Sequence, residues 1–85
     1  MKYSVFLASR AIRDYRKLPK EVQERISQAL EKLRENPRPH GCEKVIGSDS
    51  WRIRIGDYRI IFKVDDENKT VTVTRIGHRK DVYEV

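Results

Sequence analysis

The chain has one cysteine, one tryptophan and one methionine, and no apolar run long enough to cross a membrane. A single thiol, Cys42, closes no internal disulfide, and no Cys/His cluster has zinc-site spacing. With neither staple available, one apolar core has to hold the fold, and the lack of disulfides fits a reducing cytoplasm. Met1 to Arg10 contains an apolar stretch too short for a signal peptide and is followed by charge, so no targeting and no membrane contact are expected. The 85 residues predict one domain over positions 1–85. No cofactor and no metal are expected.

Acidic residues are in the minority. Nineteen Lys and Arg against 13 Asp and Glu leave a formal charge of +6, which suits a small domain that meets a polyanion. The plainer alternative is a soluble surface that happens to be basic, and the distribution of charge decides between the two.

Lys2 to Leu7 alternates weakly, carries Tyr3, Val5 and Phe6 and reads as a short strand, with Ser9 placed to cap a helix immediately after it. Ala11, Ile12, Tyr15 and Leu18 fall at helical spacing, and Pro19 ends that segment while suiting the start of another. Lys20 to Glu35 puts Val22, Ile26, Ala29, Leu30 and Leu33 on one stripe and polar residues elsewhere, which predicts an amphipathic helix. Asn36-Pro37-Arg38-Pro39-His40-Gly41 breaks the periodicity and crosses to a sheet.

Three antiparallel strands complete the chain. Ser50 to Ile55 alternates Trp51, Ile53 and Ile55 with Arg52 and Arg54. Gly56-Asp57 fits a two-residue turn, and Tyr58 to Val64 sets Tyr58, Ile60, Phe62 and Val64 against Arg59, Ile61 and Lys63. Thr70 to Gly77 is the β-branched last strand. The expected fold is α+β, in the order β-α-α-β-β-β, with a two-helix hairpin packed on one face of a small antiparallel sheet and the other face open.

On that open face Arg52 and Arg54 stand side by side, and the turn brings Arg59 next to them. Crowded guanidinium groups repel unless an anion sits among them, and phosphate oxygens suit their forked geometry. The alternative is that they solubilise the sheet and pair with Asp49 or Asp57. Trp51 reads as core packing, His40 as structural, and Cys42, with no base beside it, not as a nucleophile.

After the last strand come His78, Arg79 and Tyr83 within six residues. RNA cleavage by attack of the 2′-hydroxyl on phosphorus needs a base, an acid for the leaving oxygen and positive charge around the phosphorane. His78 is a candidate acid or base, Arg79 a phosphate clamp, and Tyr83 a proton carrier if cations lower its pKa. Each also has a plain reading: His78 as a surface residue, Tyr83 as packing on the sheet edge.

Trp51-Arg52-Ile53-Arg54-Ile55-Gly56-Asp57-Tyr58-Arg59-Ile60-Ile61-Phe62 and the closing Ile76-Gly77-His78-Arg79-Lys80-Asp81-Val82-Tyr83 resemble two motifs of the RelE/ParE toxin superfamily, specifically its RelE-like ribonuclease branch. The helical hairpin resembles the family in pattern only. The resemblance implies a RelE-like fold and a metal-independent endoribonuclease, an mRNA interferase that cuts messenger RNA in the ribosomal A site. It further implies a cognate, RelB-like antitoxin as partner, acidic or partly disordered when free. By position, Arg52 and Arg54 match residues that hold the RNA backbone, and Lys63 and Lys80 are grouped with them as RNA-binding. Arg59 and Arg79 match arginines that stabilise the scissile phosphate, and Tyr83 matches the terminal catalytic tyrosine. His78 falls where many relatives have Lys or His. Some ribonuclease members carry lysine where Arg52 and Arg54 stand, which leaves the general base open, because an arginine does not shuttle protons. Two other functions fit the same outline: a ParE-like toxin acting on DNA gyrase, and an inactive module that binds RNA or an antitoxin.

Overall fold

In the computed structural model, which describes residues 2–80, the elements run β1 (Ser4–Leu7), α1 (Ser9–Arg16), α2 (Lys20–Glu35), β2 (Glu43–Lys44), β3 (Trp51–Ile55), β4 (Tyr58–Asp65) and β5 (Thr70–His78). The strands form one sheet in the order β1-β5-β4-β3-β2. Tyr83 lies outside the described residues.

The amphipathic reading of α2 holds: Ile26, Ala29 and Leu33 are buried, and Val22 and Leu30 pack at the core's margin. In the sheet alternation sets the buried face of β3 and most of β4, while in β5 a register shift moves it between Val73 and Ile76. Ile53, Ile60, Phe62, Val71, Val73 and Ile76 form the facing layer, with Ala11 from α1. Complete burial of a side chain such as Phe62 or Ile26 contributes about 1.5–3 kcal/mol each. The two helices are pinned to each other by Tyr15, whose hydroxyl lies 2.7 Å from Ser27 Oγ, and by Gln23 Nε2, which donates to the Tyr15 carbonyl at 2.8 Å.

The structure differs from the sequence expectation in five places. The sheet is mixed, because β1 runs parallel to β5, pairing Ser4 with Thr70 through Leu7 with Val73. Apolar alternation fixes which face of a strand is buried but not its partner or direction. Glu43–Lys44 adds a two-residue edge strand to β3, too short to leave a periodic signal. Ser9 is not the cap of α1: Ala8 takes that position, its N–H still donating to the Val73 carbonyl at 2.8 Å. Ile12, expected on the packed side of α1, is exposed. Ile61, expected on the open face, has only 4% of its surface exposed, with Arg52 and Arg75 as its neighbours across the ladder.

Where β1 ends, β5 would have an unpaired edge. Asp14 of α1 covers it, its Oδ2 accepting from the Ile76 N–H and from Arg75 Nε, both at 3.0 Å. This contact seats α1 against the half of β5 that leads to His78.

Candidate nucleic-acid interface

The hairpin of β3 and β4 closes through Gly56 and Asp57, with Ile55 opposite Tyr58 and Arg54 opposite Arg59. Gly56 alone of the two has positive φ, +61°, as expected of a turn with glycine in the first central position. A Cβ on Gly56 would also stand 2.7 Å from Arg25 Nη2, so the guanidinium of α2 lies over the turn.

Register then places the cations. Arg52 and Arg54 share one face of β3, Arg59 lies on the same face of β4 directly across from Arg54, and Gly77 of β5 sits opposite Arg59. A glycine there leaves the ground next to Arg59 without a side chain. Arg79 comes two residues later, its N–H donating to the Asp57 carbonyl at 2.8 Å. The electrostatics record the convergence. The Arg59 guanidinium is pushed below its ordinary pKa, first by burial and then by Arg54, Arg52 and Arg79, with Glu43 opposing. Three of the four sequence-predicted phosphate-binding arginines therefore stand within electrostatic reach of the fourth.

Counter-charge is sparse. Arg52 is held by Glu43, with Nε at 3.0 Å and Nη2 at 2.9 Å from Oε1. Among the described residues no carboxylate pairs with Arg54, Arg59 or Arg79. The alternative pairing with Asp49 or Asp57 does not form: Asp49 takes Lys63 at 3.5 Å, and Asp57 offers its backbone. Glu43 was not foreseen because its strand left no pattern. Lys63 lies on the same face of β4 as Arg59 but four residues along, so it sits towards the far end of the face. Lys80 is exposed in the turn after β5.

His78 goes elsewhere. It is the last residue of β5, opposite Tyr58 and on the side of Ile76, which is the helix side. Its ring meets Tyr58 edge-on with centroids 5.5 Å apart, and its Nδ1 accepts the Lys80 N–H at 3.1 Å. It borders a cleft of about 410 Å³ whose lining includes Arg10, Asp14, Lys17 and Arg75. The structure therefore joins Arg52, Arg54, Arg59 and Arg79 and leaves His78 across the sheet from them. Simple alternation from Val71 and Val73 would have put His78 on the other side; the register shift opposite Ile61 and Phe62, which moves the buried set of β5 to Ile76, turns it to the helices.

Known proteins share both sequence and shape with this chain. The toxin RelG of Mycobacterium tuberculosis is 33% identical over 98% of both chains. The mRNA interferase toxin RelE of Escherichia coli K12 is 30% identical over 98% of this chain and 92% of its own. Among solved structures, the RelBE2 toxin-antitoxin complex of M. tuberculosis contains a chain with a TM-score of 0.84 at 27% identity, covering 93% of this chain and all of that one. The intact E. coli RelBE complex gives 0.79 at 30% identity, over 89% and 95%. The family model described as the ParE toxin of type II toxin-antitoxin systems matches residues 5–83, and with these relatives it shows that the chain belongs to the RelE/ParE superfamily of type II toxins.

Proposed function

We propose that this RelE-like toxin is a ribosome-dependent endoribonuclease that cuts mRNA in the ribosomal A site within the cytoplasm and is silenced by a RelB-like antitoxin. The supporting observation is the cluster of Arg54, Arg59 and Arg79 with no partner carboxylate among the described residues, beside an Arg52 held by Glu43. Such a cluster is electrostatically costly when empty and favourable around a phosphodiester.

In this reading the ribose 2′-oxygen attacks the adjacent phosphorus, the bond to the 5′-oxygen breaks, and the products are a 2′,3′-cyclic phosphate and a 5′-hydroxyl. Arg59 and Arg79 neutralise the charge that builds on the phosphorane, the part a metal plays in other nucleases. Arg52, Arg54, Lys63 and Lys80 hold the flanking backbone. Tyr83 moves a proton, and His78, facing the helices, acts by fixing the turn that presents Arg79. A substrate held bent by the ribosome supplies alignment that this open face does not impose by itself. The cognate antitoxin carries acidic groups to the same face.

The test is primer extension on translating ribosomes. The protein is expected to cut A-site mRNA and to leave naked RNA largely intact. Arg59→Ala and Arg79→Ala should each lower cleavage by about 10²–10³-fold, and Tyr83→Phe should abolish growth arrest with the fold intact. Full cleavage by both arginine variants would refute the assignment. The ParE description of the family model favours a second reading, action on DNA gyrase; inhibition of supercoiling by the purified chain, with no mRNA cut, would establish that one instead.

A further inference from the structure

Beyond β2, which covers β3 only at Trp51 and Arg52, the remaining edge of β3 is paired by no strand among the described residues. Between that edge and α2 lies a cleft of about 520 Å³. Arg25, Gln28, Ala29 and Lys32 form one wall, at the i, i+3, i+4, i+7 spacing that gives a single helix face. The connector at Pro39 to Gly41 and β3 at Ile53 to Ile55 supply the rest.

The charge of this cleft is one-sided. Its lining holds Arg25, Lys32, His40 and Arg54 and no carboxylate. None of the four side chains makes an ion pair among the described residues. Ala29, Ile53 and Ile55 give it an apolar floor. The backbone adds a donor: in a two-residue hairpin the closing pair, Ile55 and Tyr58, bond each other, so Arg54 turns its N–H away from β4 towards this open edge. Arg54 also belongs to the cluster around Arg59. Arg54 therefore borders both the cluster around Arg59 and the cleft whose helix wall carries Arg25 and Lys32.

We propose that the Arg25–Lys32–Arg54 cleft is a second phosphodiester-binding site, which takes the continuation of the RNA strand lying on the arginine face. The inference rests on the reading of that face as an RNA surface. RNA is favoured over an acidic protein segment because the cleft shares Arg54 with the phosphate cluster, so one continuous polyanion satisfies both.

The test measures affinity rather than cleavage. Binding of a fluorescent single-stranded RNA of about 12 nucleotides is followed by anisotropy across salt concentrations, at a slope of about 0.7 per phosphate contact. Arg25→Gln with Lys32→Gln should flatten the plot of log affinity against log salt by about 1.4, two contacts' worth. Lys32→Gln alone, which leaves the guanidinium over Gly56 in place, should flatten it by about 0.7. Arg13→Gln with Arg16→Gln, an equal loss of charge on α1, should leave the slope unchanged. A slope unmoved by the α2 variants, or moved as much by the α1 pair, overturns the proposal. So does an unmoved slope accompanied by weaker binding of a polyglutamate peptide, which would give the cleft to an acidic protein. Because cleavage depends on Arg59 and Arg79, failure of the cleft and failure of the nuclease reading show in different variants and different assays.

Discussion

At the scale of single residues, His78 shows how one hydrogen bond changes a role. Its Nδ1 is occupied as acceptor for the Lys80 N–H, which puts the proton of the neutral ring on Nε2. The side chain thereby braces the turn that holds Arg79. Asparagine offers an oxygen where Nδ1 stands, and glutamine offers one nearer Nε2. His78→Asn is therefore expected to retain most of the cleavage and His78→Gln to lose it, with the loss falling on the rate at saturating substrate. Equal, large losses in both variants would return His78 to proton transfer. Sequence alone could not separate these roles, because residue type says what the imidazole can do and only the strand register says which side of the sheet it occupies.

Elements were the most readable level. The limits of α2 follow from Pro19 before it and Asn36-Pro37 after it, and the stripe on its buried face is the one its spacing predicts. The β3–β4 hairpin was equally legible, since alternation on both strands and Gly56 at the turn agree on a single register. That turn is constrained twice, by backbone and by contact. Gly56→Ala should destabilise the protein by about 1–2 kcal/mol for the left-handed conformation alone, and by more while the Arg25 guanidinium stands 2.7 Å from the new methyl group. In thermal or urea melts, adding Arg25→Ala should recover only the part due to the clash. Complete recovery would show that the backbone tolerates alanine there. Elements without periodicity were not legible: β2 has two residues, and its Glu43 became known as the partner of Arg52 only through pairing.

Across the whole molecule, segments far apart in sequence are tied at the end of the sheet away from the hairpin turn. Asp66, in the turn after β4, accepts from the Tyr3 hydroxyl at 2.7 Å and from Arg38 Nη2 at 2.8 Å, while Lys69 Nζ lies 5.2 Å from the Tyr3 ring centroid. The Arg38 bond first, and the Tyr3 bond second, hold the Asp66 carboxyl down to about 2. A carboxyl whose pKa is lower folded than unfolded contributes stability that is full above its ordinary value near 4 and is lost as pH falls through about 2. Melting temperature should therefore drop between pH 4 and 2 by less in Asp66→Asn than in the parent chain. Solvent screening keeps the difference small at this exposed site, and identical profiles would show that the network adds nothing to folding.

The sequence by itself determined the buried stripe of α2, where the hairpin turns, and that Arg52, Arg54 and Arg59 share a face, because side-chain period and turn chemistry are local properties of the chain. The parallel pairing of β1 with β5, the seat of Asp14 on the bare edge of β5, the side taken by His78 and the cation-lined cleft beside β3 were decided only by the tertiary structure. Each of these depends on which distant strand or helix becomes a neighbour, and local periodicity carries no information about partners.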